Sequence, residues 1–153
     1  EKLEERYNGE LADGIGNLVA RVAKLGEKIS PITYSESDIT EWNMNTKKNI
    51  YNLYNELIGN IKLNEALGVA FTLVYSVDNY INETRPWTLE GDDLKKVIIN
   101  TSFLIQTFSD LIWPFLPETS EKVKEQIKFV GNKIEIKKGD NIFPRLKSCS
   151  PNS

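Results

Sequence analysis

The chain has 153 residues, 40% of them apolar and 27% charged, with 19 basic against 22 acidic side chains and a net charge of −3. This composition suits one folded domain with its own core, and excludes both a disordered chain and a protein that holds nucleic acid by charge alone. With no histidine and a single Cys149 in the polar stretch 148–153, it also excludes Ser-His-Asp and Cys-His catalysis, imidazole or cysteine metal sites and an internal disulfide.

No run approaches 18 consecutive apolar residues, so no membrane partner is expected. The start, Glu1-Lys2-Leu3-Glu4-Glu5-Arg6, has neither a signal-peptide stretch nor an initiator Met and reads as a piece cut from something longer.

Five segments carry helical periodicity. In the first, Leu11, Ile15, Leu18, Val22, Leu25 and Ile29 recur at steps of three and four until Pro31 interrupts them. The second opens at Ser35-Glu36-Ser37-Asp38, an N-cap with acids in the first turn. It runs through Ile39, Trp42, Ile50, Leu53 and Leu57 and stops at Gly59. The third, residues 63–81, has the cleanest apolar stripe and ends at Arg85-Pro86. The fourth starts after Gly91 with Asp92-Asp93, acids suited to the positive end of a helix dipole, and closes at Pro114. The fifth opens at Pro117 and carries Val123, Ile127 and Val130 up to Gly131.

From Asn132 the pattern changes. Ile134 and Ile136 alternate with charge, and Gly139-Asp140-Asn141 and Phe143-Pro144-Arg145-Leu146 follow, which predicts an extended or hairpin-like tail. The expected fold is all-α: an antiparallel bundle of about five helices over residues 1–130, with a short extended C-terminal tail over 131–153.

Two features carry possible chemistry. Projected at 100° per residue, the apolar positions of the first helix fall in a band of about 80°. Asn17, Arg21, Lys24 and Lys28 form a second stripe roughly 100° away. Spacing alone favours a solvated helix face over a groove wall that offers donors to an anionic or hydrogen-bonding ligand. Trp87 follows Arg85-Pro86 at the corner between the third and fourth helices, where proline fixes the backbone. An aromatic held there beside a cation either closes the end of the bundle or stacks on a nucleobase, a contact worth about 1–3 kcal/mol per base. Trp42, in register with an apolar stripe, and Trp113, before Pro114-Phe115, are read as packing. Gly14-Ile15-Gly16 lies inside a helical pattern after no strand and is no phosphate loop. No paired carboxylates converge on an apolar face, which argues against a carboxylate enzyme. Residues 128–147 carry six basic side chains against Glu135 and Asp140, a surface for an anionic partner or a solubilising strand.

These pieces occur in a definite order. Arg6-Tyr7-Asn8 to Leu11-Ala12 and Gly16-Asn17-Leu18-Val19-Ala20-Arg21 come first, then Tyr80-Ile81 to Arg85-Pro86-Trp87. Pro114-Phe115-Leu116-Pro117-Glu118-Thr119-Ser120-Glu121-Lys122 and Ile142-Phe143-Pro144-Arg145-Leu146 complete it. Over nearly the whole chain this resembles the C-terminal anticodon-binding domain of the methionyl-tRNA synthetases, which are class I aminoacyl-tRNA synthetases. The first motif is shared loosely with the valine, leucine, isoleucine and cysteine enzymes; the later ones favour methionine.

The resemblance implies a helical bundle that grips the anticodon loop of methionine tRNA and reads CAU. In the family pattern the Asn and Arg matched by Asn17 and Arg21 contact anticodon bases, and the Trp matched by Trp87 stacks on the wobble cytosine. These residues would form opposite walls of one site. Pro86 shapes the corner, and Arg85 stands where a Lys is common, keeping charge near the loop phosphates. Lys24 and Lys28 extend the stripe of Asn17 and Arg21. The nucleotide-binding half of the family, with its His-rich and Lys-Met-Ser-Lys-Ser-type signatures, has no counterpart here, nor do the cysteines of its zinc insertion. ATP, and any zinc, would belong to a catalytic domain outside this chain, which alone is expected to hold no cofactor and to be inactive. The implied partners are methionine tRNA and that catalytic domain, in a cytoplasmic monomer whose tail would pack back on the bundle or toward the catalytic domain. The rival expectation is a protein-interaction module that kept the fold but not RNA binding.

Overall fold

The computed structural model describes residue 14 and residues 16–139. Leu11, Ile15, the tail segment 142–146 and Cys149, all used above, lie outside the described residues. Among those described, the chain forms helices α1 (Gly16–Glu27), α2 (Glu41–Gly59), α3 (Leu63–Thr84), α4 (Gly91–Ile112) and α5 (Pro117–Gln126). Strand β1 (Ile32–Thr33) lies between α1 and α2, and β2 (Ile127–Val130) and β3 (Lys133–Ile136) follow α5. The architecture is the mostly helical bundle that periodicity predicts, with a small sheet added.

The helix α4 organises the core. It contacts all four other helices, and Ile98, Leu104, Ile105, Phe108, Leu111 and Ile112 are buried along it. The antiparallel hairpin of α3 and α4 is the most extensive contact, with Phe71 and Phe108 packed at a centroid distance of 5.8 Å. No helix among the described residues is long and apolar enough to cross a membrane.

The fifth helix is shorter than predicted. Ile127 and Val130, placed on it by periodicity, belong instead to β2. Within β2, Ile127 and Phe129 alternate with the exposed Lys128 and Val130, a period of two suited to a half-buried strand. A turn at Gly131, with φ of 60°, lets β2 pair antiparallel with β3 in the register Phe129↔Ile134. The sheet order is β1-β3-β2, so β3, whose Ile134 and Ile136 are buried, sits in the centre.

The second helix differs more. Ser35 and Asp38 cap a separate 3₁₀ turn, Glu36–Asp38, in which the Ser35 N–H donates to the Asp38 carboxylate at 2.9 Å. The N-cap of α2 is Thr40, whose hydroxyl accepts from Asn43 N–H at 3.1 Å. Its buried side chains are Asn43 and Tyr54, each one residue beyond the expected Trp42 and Leu53. Trp42 is therefore 76% exposed, and Trp113, just past the end of α4, is 51% exposed, so neither is the packing residue its register suggests. Ile50 and Leu57, on the predicted stripe, are partly buried against the core, but the fully buried positions carry polar atoms, to which a pattern of apolar residues is blind.

Candidate nucleic-acid interface

Helix α1 buries Leu18, Val19, Val22, Ala23 and Gly26. Gly26 permits a close approach to β3 and α4: a Cβ there would stand 2.5 Å from Ile136 Cδ1 and 3.3 Å from Ile98 Cγ2. With that face fixed, the helical period leaves Asn17, Arg21 and Lys24 exposed on the other side, and Lys28 exposed just past the helix end.

Across from them lies α3. The Arg21 guanidinium donates to Asp78 Oδ1 at 2.9 Å, an ion pair whose partners are both about half exposed. Asn82 donates more weakly to the same carboxylate, at 3.4 Å. Asn17 and Arg21 share a groove of about 450 Å³ with Val74, Tyr75 and Asp78. Because Gly14 faces Val74 while Arg21 reaches Asp78, residue numbers rise together and the two helices run in the same direction. The stripe through Lys24 and Lys28 thus leads toward the C-terminal end of α3.

That end is the Trp87 corner. Arg85 caps α3 in the left-handed region, with φ of 48° and its N–H on Ile81 O at 2.9 Å. Such a conformation costs a non-glycine residue about 1–2 kcal/mol. It turns the chain into the 3₁₀ segment Pro86–Thr88, closed by Leu89 N–H on Pro86 O at 3.0 Å and by the Thr88 hydroxyl on Arg85 O at 2.7 Å. Pro86 is buried as the anchor, whereas Trp87 is 54% exposed.

The predicted residues therefore fall into two groups. Asn17 and Arg21 meet in the groove between α1 and α3; Arg85, Pro86 and Trp87 form the corner, and Trp87 does not line that groove. Tyr75 and Asp78 escaped the sequence reading because they lie on the polar flank of α3, where only the fold reveals what they face. An aromatic outside the apolar stripe was the available signal for Tyr75. A larger cavity, about 680 Å³, lies elsewhere, among α2, α4 and β2. It is lined in part by Lys47, Tyr51, Phe103 and Phe129, and holds none of the predicted residues. Among the described residues, no group of three or more acidic or cysteine side chains is placed to hold a metal ion.

No family model matches the chain. Its sequence is 32% identical over 165 residues to the methionine–tRNA ligase of Clostridium acetobutylicum and 30% identical over 164 residues to that of Clostridium tetani. Each alignment covers 93% of this chain and 26% of the relative. The chain is a homologue of one segment of methionine–tRNA ligase. It spans about a quarter of the length of the curated relatives it matches. The fold agrees: the apo methionyl-tRNA synthetase of Mycobacterium tuberculosis superposes with a TM-score of 0.73 at 18% identity, over 93% of this chain and 34% of that one. The same enzyme in complex with methionyl-adenylate gives 0.75 at 17% identity, over 92% and 32%. At such identities the likeness is one of fold.

Proposed function

We propose that this chain is the anticodon-binding part of a methionine–tRNA ligase and recognises the CAU anticodon of methionine tRNA. The observation that carries the reading is the pairing of Asn17 with Arg21 in one exposed groove, with Trp87 held outward on a fixed corner at the end toward which their stripe runs. Single-stranded loop bases are recognised by stacking on aromatic rings and by hydrogen bonds to their edges. Trp87 supplies a ring. Arg21 supplies donors that suit the O2 and N3 acceptors of cytosine, and Asn17 both donates and accepts. Asp78 engages part of the Arg21 guanidinium and limits its rotation, leaving further N–H donors of the five for a base. Lys24, Lys28 and Arg85 meet the loop phosphates.

Joining methionine to tRNA with ATP belongs to a catalytic domain outside this chain, as does any zinc; this chain alone neither adenylates methionine nor transfers it. Its setting is cytoplasmic and its state monomeric. Because phosphate contacts dominate RNA affinity and the net charge is −3, the isolated chain binds weakly, with a Kd of about 10⁻⁴–10⁻⁵ M. The catalytic domain, gripping the acceptor end, adds avidity in the whole enzyme.

The test is a titration with an anticodon stem-loop bearing CAU at low salt, followed by Trp fluorescence. A loop with one anticodon base changed runs beside it, and Trp87→Ala controls for the signal. Weak binding that prefers CAU and is lost in Trp87→Ala supports the reading. Equal binding to both loops, or none, overturns it in favour of a protein-interaction module.

A further inference from the structure

We propose that the open edge of β2 docks an extended peptide segment of a partner protein, one whose carboxylate side chain reaches Lys47. The sheet order makes β2 an outer strand. The Lys137 N–H donates to Gln126 O at 2.9 Å, so these two residues form a hydrogen-bonded pair of the hairpin. Such pairs alternate along an antiparallel ladder, which makes Lys128↔Glu135 and Val130↔Lys133 the next two. The N–H and C=O of Phe129 therefore point away from β3, along the free edge. Among the described residues no backbone group outside the hairpin bonds to either of them. An edge of this kind is a template for a further strand.

The space beside that edge is built for a side chain with an apolar stem and an anionic tip. The cavity of about 680 Å³ and a second of about 240 Å³, beside α5, share Phe129 and Gln106, so open space continues along the strand. In the first, Tyr34 and Phe129 pack edge to face at 5.6 Å. The Lys47 ammonium lies 5.1 Å from the ring centre of Phe103 and 5.9 Å from that of Tyr51. Lys47 is half-buried, and among the described residues no carboxylate is within ion-pair distance of it or of Lys48. Glu36, the carboxylate on this wall, is exposed. An ammonium held against two ring faces keeps donors for an anion on its open side. Gln106 adds an amide that both donates and accepts.

This chemistry selects the occupant. An RNA backbone has no repeating N–H and C=O with which to continue the ladder. A second copy pairing through β2 would crowd the lysines of both copies, Lys128 and Lys133 among them, along one seam. Glu121 and Glu125 line the smaller cavity, which places the carboxylate of the incoming segment at the Lys47 end.

The probe is a fluorescein-labelled acetyl-Thr-Val-Thr-Glu-Thr-Val-Thr amide, in which Val, Glu and Val share one face of the strand. Its anisotropy is followed as the chain is added, beside a peptide with Gln in place of Glu and a Glu peptide N-methylated throughout. The Glu peptide is expected to bind, the Gln peptide about tenfold more weakly, and the N-methylated peptide not at all. Lys47→Met, which keeps the stem against Tyr51 and Phe103, should abolish the difference between Glu and Gln. Helical circular dichroism checks that this variant folds. Hydrogen exchange of the Phe129 amide should slow in the complex. Absence of peptide binding, binding of the N-methylated peptide, a Glu–Gln difference that survives Lys47→Met, or an unprotected Phe129 amide overturns the proposal. Protection of that amide by the CAU stem-loop, or by self-association of the chain without peptide, overturns it in favour of RNA or a second copy. The peptide titration leaves the anticodon reading untouched, because neither cavity contains Asn17, Arg21 or Trp87.

Discussion

The helices on either side of α3 are fixed to the core by different physics. Helix α1 is close-packed: Leu18, Val22 and Ala23 are buried, and Gly26 brings its backbone against Ile136 and Ile98. Helix α2 packs more thinly, with Ile50, Leu57 and Ile58 only partly buried against the core, and is tied by hydrogen bonds as well. Asn100 on α4, fully buried, accepts from Thr40 N–H at 3.0 Å and from the Asn43 amide at 2.9 Å, and donates to Lys96 O and Asp38 O. Farther along, the Tyr54 hydroxyl donates to Leu111 O at 2.7 Å. A directional polar knot fixes where α2 begins and which way it faces, but leaves its outer flank, with Trp42 and Leu53, to solvent. Close packing over a whole face holds α1 along its length. That is the support a side chain needs when its donors must be placed to within fractions of an ångström.

The largest expected effect is on the α2 side. Asn100→Ala leaves the part-buried Thr40 N–H and the buried Asn43 amide without their acceptor, at about 1–3 kcal/mol for each group. Urea unfolding should show a loss of about 3 kcal/mol or more. A variant that remains folded should bind the CAU stem-loop as wild type does, since α1 and α3 are untouched. Wild-type stability would break the comparison, because the polar knot would then not hold α2.

Next comes the α1 side. Gly26→Val drives a branched side chain into Ile136 and Ile98, an overpacking expected to cost about 1–3 kcal/mol. Here stability and binding should fall together, because shifting α1 moves Asn17 and Arg21 relative to α3. A destabilised variant with unchanged stem-loop affinity when folded would show that the interface does not depend on this packing.

The same contrast explains what was legible. In α3 Ala66, Leu67, Ala70, Leu73, Val74, Val77 and Ile81 are buried on the predicted stripe, since hydrophobic burial dominates there. Phe71, off the stripe, is buried too, and Leu63, the stripe's first member, is 48% exposed. In α2 the inward positions Asn43 and Tyr54 carry polar atoms, and their partners lie 57 residues away on α4. A periodicity that counts only apolar side chains then settles on Trp42 and Leu53. The end of α5 misled for another reason: Ile127 and Val130 fit a helical step, but pairing with β3 outweighs local preference. At the candidate interface, the exposed stripe on α1 followed from spacing. The groove did not, because Tyr75 and Asp78 become neighbours of Arg21 only through the packing of two helices.

A smaller effect is expected at Tyr54. Tyr54→Phe removes the hydrogen bond to Leu111 O for about 1 kcal/mol. The pH dependence has a definite sign. Burial raises the Tyr54 phenol above the ordinary 10.0, as it does for Tyr51, which the Asp110 carboxylate raises further, and for Tyr80. A group raised in the folded state stays protonated while its unfolded counterpart ionises. Its contribution is therefore complete below pH 10.0 and is lost as pH climbs from there through the folded value. Stability should thus fall above about pH 10, and less steeply in Tyr54→Phe. Identical alkaline slopes would mean that Tyr51 and Tyr80 carry the whole dependence.

The smallest effect on stability separates positioning from packing most cleanly. The Arg21–Asp78 pair is about half exposed, and such pairs contribute roughly 0–1 kcal/mol because water and salt screen them. Asp78→Asn should accordingly move the unfolding midpoint by only a few degrees at most. Its effect on RNA should be disproportionate and of mixed sign. If RNA lies in this groove as proposed, removing a negative charge from it raises affinity for any stem-loop, most visibly at low salt. Without the carboxylate, Arg21 regains its rotamers, so the base-specific share of binding shrinks. The ratio of affinities for the CAU loop and a loop with one changed base should narrow by about twofold to fivefold, as expected for weakening one charge-assisted contact. If the ratio is unchanged while affinity rises, Asp78 acts as a plain repulsive charge and does not position Arg21. If neither changes, the RNA does not reach the groove between α1 and α3.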